Sequence, residues 1–398
     1  MRIRDIIIAA VVILALALLV AGSWFFRTIE PGLDAETMPS RLLAPPPAGH
    51  EGAVAAGQRL ARELVAEHNL PGLSVAVAVD GAIVWAEGFG YADHEAGSPV
   101  TPETRFRIGG VTKTITATAA GLLHERGRLD LDAPARRYVP EFPEKRWPVT
   151  TRQLLGHVAG IGPGWHGRGE PCTDDRDRIA DFAADTLLFE PGTRFRYATR
   201  GYVLVGAVIG AAGGEPYLDF VRREVFAPLG MRHTVPDGAG GEPPVTARFY
   251  FPRMATNPRL GLQDAPPGEL SCVLPAIGLL STPSDLVRLG SAMMAGTLLR
   301  TKTVAMLQTP DPFAADDGND AALGWFVRTL PLGPDQAPTR VIGHRGNVAG
   351  GTASLVTVPD HDLAIAVTSN VTFAKAVSTL ADALAEIFAG AAPDREGE

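Results

Sequence analysis

Apolar positions along the chain follow several distinct patterns, and each predicts a different kind of element. From Ile6 to Phe26 no residue is charged. At ~1.5 Å per residue a helix of that length spans a ~30 Å hydrocarbon core. Residues 1–26 therefore read as a single transmembrane anchor or an uncleaved signal. A secretory signal cut near Val20-Ala21-Gly22 is the competing reading, although an apolar signal core is usually shorter, ~7–15 residues. Arg2 and Arg4 vote for an inside N-terminus, and Arg27 on the far flank weakens the vote. The rest of the chain is then expected outside the cytoplasm, in a periplasm-like space.

Residues 27–52 read as a linker, with Pro45-Pro46-Pro47 favouring an extended polyproline spacer. Helical spacing follows over 53–68 (Leu60, Leu64 and His68; Ala61 and Val65). The run SVAVAVDGAIVWAEGFG then alternates with period two around Asp80-Gly81, a hairpin signal. Val111 to Arg126 is predicted helical, with Gly127 as its stop. Between about 130 and 300, helical patterns are broken by Pro and Gly loops, among them DGAGGEPP at 237–244. Strand patterns return at 324–330, 352–359 and 363–369, and a helix from about Phe373 to Phe388 follows. Residues 390–398 read as a solvated, disordered tail.

Strands at both ends with helices between them predict an α/β fold. Its antiparallel sheet is expected from about 53–128 and 320–389, flanked by helices, with a mostly helical region inserted at about 129–319. The whole domain covers 53–389, preceded by the one transmembrane helix.

Composition narrows the chemistry. The 398 residues are 46% hydrophobic and 20% charged, with a net charge of −8, so a nucleic-acid partner is not expected. No repeat, P-loop or G-x-S-x-G elbow is found, and GIGPG at 160–164 reads as a loop. Nine histidines show no ligand spacing, so no metal and no cofactor is expected. Cys172 and Cys272 are the two cysteines; one bridge and two buried thiols both remain open.

One ordered set of segments carries a resemblance. It runs from RFRIGGVTKT (105–114) through LDLD (129–132), TTRQLLGHVAGI (150–161), FRYATRGYVLVGAVI (195–209) and APLGM (227–231). It continues through GLLSTPSDLVRLG (278–290) and GHRGNVAGGTASL (343–355) to IAVTSN (365–370). The chain resembles the serine β-lactamase and penicillin-binding superfamily, in its class C-like branch of β-lactamases, D-alanyl-D-alanine carboxypeptidases and esterases. YVPEFPEK (138–145) and ARFY (247–250) look closest to the mitochondrial serine β-lactamase-like branch. The resemblance implies the β-lactamase/transpeptidase-like arrangement and three clusters. These are a Ser-x-x-Lys at a helix start, a Tyr-x-Asn-type element, and a His-x-Gly-type strand that lends a backbone N–H to an oxyanion hole.

Carried over residue by residue, Lys113 matches the lysine, Tyr197 the tyrosine, and His344-Arg345-Gly346 the His-x-Gly element. Asn347 and Gly110 would supply the oxyanion-hole N–H groups, and Thr199 stands at the asparagine position. The nucleophile position falls on Gly110, which has no hydroxyl to attack with. HVAG at 157–160 carries Ala159 where a serine is common and reads as structural. Thr112 and Thr114 point away from the hole or lie a turn too deep. Trp165, His166 and Cys172 are candidates for a pocket rim. Three readings follow. One is a membrane-anchored pseudoenzyme binding a peptide- or acyl-type carboxylate, with Lys113 adding positive charge beside the Gly110 N–H. The second is a weakly active esterase or peptidase of the serine-hydrolase family, using a water activated by Lys113 or Tyr197 or another nucleophile. The third is a structural or assembly protein. Oligomeric state is left open.

Overall fold

The computed structural model describes residues 3–28, 32–164, 171–172, 174–180, 182–239, 245–254, 256–266, 268–316 and 319–391. The elements that position the site number seven strands, β1 Ser40–Leu42, β2 Gly72–Val79, β3 Ala82–Asp93, β4 Phe326–Leu332, β5 Ala337–Val348, β6 Gly351–Val358 and β7 Leu363–Ser369. The helices needed are α1 Ile3–Thr28, α2 Glu51–His68, α3 Thr112–Glu125, α4 Thr199–Gly213, α5 Leu274–Ile277, α6 Pro283–Ala295 and α7 Lys375–Ala391.

A ten-stranded sheet runs β1-β3-β2-β7-β6-β5-β4 and continues through Asn319–Ala321 and Ala315–Asp316, with Ser98–Pro99 as the tenth strand, paired with β3 off this path. Its pairings along this path are antiparallel. The two ends of the chain meet where β7 pairs with β2, with Val367 opposite Val75 and Ile365 opposite Val77. This is the sheet expected from the sequence, closed by the hairpin at Asp80 (φ 50°) and Gly81 (φ 79°).

Alternation along SVAVAV sorts the two faces. Val75 and Val77 pack with Val54 and Leu64 of α2 and Leu380 and Leu384 of α7. Ala76, Ala78, Ala364 and Ala366 face the other way, into the cluster holding Leu286 and Val287 of α6 and the core of α3 and α4. Small side chains on that face let α6 lie close: a Cβ on Gly290 would stand 2.9 Å from Thr357 and 3.2 Å from Ala364.

Three findings differ from the sequence reading. Residues 40–42, expected inside a spacer, form β1 against β3, and Met38 is buried beside them. Arg62 of α2 holds this segment by donating to Met38 O at 3.1 Å and to Ser40 Oγ at 2.7 Å. A three-residue strand carries too little alternation to be read from sequence; the open edge of β3 selects it. Second, β5 continues from Ala337 well before the His-x-Gly element, on an exposed-buried alternation masked by Pro338 and Arg340. Third, the N-terminal segment is helical over Ile3–Thr28, and its described side chains, Ala10 to Ser23, include exposed Val11, Ile13, Leu14 and Leu18. Even so, among the described residues no helix is long and apolar enough to cross a membrane, so the expected span is not supported at that level. The tail expected at 390–398 lies outside the described residues from 392 onward.

Cys172 and Cys272 form a disulfide, which settles the alternative left open by composition. It ties the loop before residue 175 to the 3-10 turn Ser271–Val273 that leads into α5. Cys172 N also donates to Ser271 Oγ at 2.9 Å.

Candidate functional site

Helix α3 is entered through a tight 3-10 turn, Gly109–Val111, in which Gly109 holds φ 49°. That positive φ favours glycine, because a Cβ would strain the turn. The turn sets Gly110 and Lys113 about one helical turn apart at the start of α3. Strand β5 lies directly across it. A Cβ on Gly346 would meet Ile108 O at 1.9 Å and Gly110 N at 3.0 Å, so only glycine lets the strand approach this far. Asn347 follows, its backbone N 3.1 Å from where a Cβ on Gly109 would stand. The Asn347 side chain is turned away, its Oδ1 accepting from Phe373 N at 3.0 Å.

Lys113 is completely buried, and its Nζ donates to Ala276 O of α5 at 3.0 Å. The ammonium lies 4.9 Å from the Tyr197 ring centroid and 5.4 Å from that of Tyr202. No ion pair to it occurs among the described residues, and burial lowers its pKa to about 7. The expectation that Lys113 contributes a full positive charge to the site is therefore revised. The charge is expensive to hold where no carboxylate compensates it.

Tyr197 stands just ahead of α4, whose first residue is Thr199. Desolvation raises its hydroxyl pKa well above the ordinary value. His344 of β5 has Nδ1 2.7 Å from Arg345 O; a carbonyl only accepts, so Nδ1 carries the proton. Its Nε2 is buried without a partner among the described residues. Burial, with Lys113 adding to it, lowers the His344 pKa to about 3, and the ring is neutral across physiological pH.

Sequence reasoning passed over one member of this group. His157, in the HVAG turn read as structural, stacks 4.3 Å from Tyr197 and 5.1 Å from Tyr202. Its Nδ1 accepts from Ala198 N at 3.1 Å, fixing the tyrosine loop, so the proton sits on Nε2. Burial, then Lys113 and His344, push its pKa well down. The signal that could have found it is its φ of 59°, strained for a residue with a Cβ, which only the folded chain displays.

The residues predicted from motifs thus converge. An ideal Cβ built on Gly110 would stand 2.8 Å from Arg345 O, 2.9 Å from His344 Cε1 and 3.0 Å from Tyr197 Oη. The space of a side chain at position 110 is taken by its neighbours. Thr114 Oγ1 is spent on Val111 O at 2.8 Å, and Thr112 is fully buried. Beside the cluster opens a cleft of about 220 Å³ lined by Tyr197, Phe326, Arg328, His344 and Arg345, among others. Cys172 is held in its disulfide, while Trp165 and His166 lie outside the described residues. No group of three metal-ligating side chains occurs among the described residues.

Comparison with known proteins places the fold. The mouse mitochondrial serine beta-lactamase-like protein LACTB is 28% identical over 80% of this chain and 75% of its own length. Among solved structures, the octameric penicillin-binding protein homologue from Pyrococcus abyssi superposes with a TM-score of 0.69 at 27% identity, covering 83% of this chain and 76% of its own. The D-amino acid amidase from Ochrobactrum anthropi SV3 complexed with D-phenylalanine gives a TM-score of 0.71 at 26% identity, covering 84% of this chain and 98% of its own. The beta-lactamase family matches residues 58–388, from within α2 to Phe388 in the last turn of α7. The chain belongs to the beta-lactamase family.

Proposed function

We propose that this chain is a non-acylating member of its family, a module that binds a small acyl- or peptidyl-carboxylate without forming an acyl-enzyme. The observation that carries the reading is the surrounding of Gly110. The position corresponding to the family nucleophile has no side chain, and Arg345 O, His344 and Tyr197 stand within 3.0 Å of where one would begin. Loss of the nucleophile in one serine protease costs about 10⁶ in kcat, roughly 8 kcal/mol. The D-amino acid amidase relative, seen in complex with both D-phenylalanine and L-phenylalanine, supports an amino-acid derivative as the ligand class.

The N-terminal helix, with apolar side chains exposed between Ala10 and Ser23, is proposed to tether this module to a membrane with the soluble domain on the extracytoplasmic side. The test uses the full-length chain, incubated with a fluorophosphonate and a chromogenic D-amino-acid ester. No covalent adduct by intact mass and no turnover above background are expected. A stoichiometric adduct, or turnover abolished by Tyr197→Phe, overturns the reading.

A second reading, slow hydrolysis by an activated water, draws on one observation: the Lys113 pKa of about 7, which makes it a base available at neutral pH. It requires turnover without an adduct that rises with pH as Lys113 loses its proton through about pH 7.

A further inference from the structure

Residues 29–31 are all that separates the end of α1 at Thr28 from Gly32, so Thr28 lies within about 14 Å of Gly32 even with that chain fully extended. From Gly32 onward the chain is part of the domain. A Cβ on Gly32 would stand 2.8 Å from Ala66 O and 3.6 Å from Asn69 Oδ1, at the end of α2. Leu33 and Ala35 pack on the cluster that holds Val54 and Leu64, Met38 is buried, and β1 follows. The spacer expected from residue 27 is therefore largely taken up by the fold. Little free chain is left to hold the domain away from α1.

A hairpin lies beside Gly32. Strand Tyr250–Pro252 pairs with Leu262–Asp264, and Leu262 packs on the same cluster as Leu33. Asn69 Nδ2 donates to Pro258 O at 3.3 Å, which fastens the hairpin tip to the end of α2. Between Pro252 and Asp264 the charged residues are Arg253 and Arg259, both exposed. Arg253 donates to Leu262 O at 3.0 Å. Neither arginine has an ion pair among the described residues, whereas Asp264 at the base is held by Arg248 at 2.7 Å. Met254 is 37% exposed beside Arg253. Thr256 of the same tip and Phe373, whose ring lies 5.9 Å from that of Phe251, line a cleft of about 300 Å³.

We infer that Arg253, Met254 and Arg259 form a docking surface for a phospholipid bilayer, with the two guanidinium groups on headgroup phosphates and Met254 in the interfacial layer. This rests on the membrane tether proposed above and names the face that the tether turns to the bilayer. A guanidinium meets a phosphate through paired N–H···O bonds, and an apolar side chain beside it gains by leaving water. Asp34, Glu36 and Glu67 are exposed within a few residues of the Gly32 contacts, so this face has no net basic charge to draw it in from a distance. It needs none, because a short tether holds it against the surface at high effective concentration. Docking sets the cleft mouth at Thr256 and Phe373 beside the lipid.

The test uses the full-length chain in phosphatidylcholine vesicles with phosphatidylglycerol as the minor lipid. The two native cysteines are bridged, so Met254→Cys, or Leu188→Cys as the control, takes a single fluorophore. Leu188 is 57% exposed on the helical side of the sheet, where its neighbour Leu187 packs. A quencher carried on the lipid should quench the label at 254 and spare the label at 188. Arg253→Gln with Arg259→Gln, both at exposed positions, should lower the docked-to-free ratio about tenfold or more, each arginine near an anionic lipid surface being worth on the order of fivefold. The chain should still float with the vesicles. Quenching at 254 that survives this double substitution overturns the phosphate contact. Equal quenching at 254 and 188 on a floating chain overturns the docked face and leaves the tether intact. A chain that does not float overturns both.

Discussion

Lys113 is the residue whose surroundings most constrain what this site does. Its pKa is lowered from 10.5 to about 7 by burial. A lysine protonated in the unfolded chain and neutral in the folded one makes the unfolded state bind more protons between those two values. Stability must then rise with pH from about 7 to about 10.5, and the full penalty, on the order of a few kcal/mol, is present below about 7. Lys113→Met, close in length and without a charge, is expected to be more stable than wild type at pH 7. The advantage should shrink steadily toward pH 10. Urea unfolding at several pH values measures this, and a wild type at least as stable as the variant at pH 7 would mean the ammonium has a compensating counter-charge. Gly110 is the complementary case. Its identity is readable in sequence; the crowding by Arg345 O, His344 and Tyr197 is not, because those atoms arrive from β5 and from the loop before α4.

Among elements, the contact of β5 with the turn before α3 decides whether a site exists. Gly346 is the point of closest approach, with Ile108 O 1.9 Å from where a Cβ would stand. The obstacle is backbone and cannot rotate away. Gly346→Ala is expected to destabilise the fold by about 1–3 kcal/mol or more, as overpacking does. It should also part β5 from the turn, raising hydrogen exchange at Gly110 and Val111 above that at the centre of β7; unchanged exchange there would contradict the assigned contact. Elements with sustained periodicity were legible: α2, the β2–β3 hairpin, α3, β7 and α7 sit within a few residues of their predicted positions. β1 was not, since three residues pair only because β3 leaves an edge open and Arg62 reaches across to hold them.

At the scale of the whole molecule, the disulfide couples the inserted region to the site. Cys172 and Cys272 are 100 residues apart in sequence, and Cys272 lies one turn before Ala276, the acceptor for Lys113. Cys272→Ala is expected to lower stability by about 2–5 kcal/mol, the usual cost of removing a native disulfide. It should also shift the Lys113 titration, read by NMR of the labelled side chain. A stability loss with no change at Lys113 would show that α5 is held by packing alone.

Local pattern by itself determined that strands at the two ends of the chain enclose helices and that an uncharged N-terminal segment precedes them; the family resemblance, carried by motif order, put positions 110, 113, 197 and 344 in one set. Periodicity and motif order are properties of neighbouring residues, so a sequence displays them. Tertiary structure alone decided that Lys113 is buried with no ion pair among the described residues, that His157 joins the cluster, and that the two cysteines meet. Each of these depends on atoms brought together from distant parts of the chain, where desolvation and close backbone approach come into being only when the sheet closes.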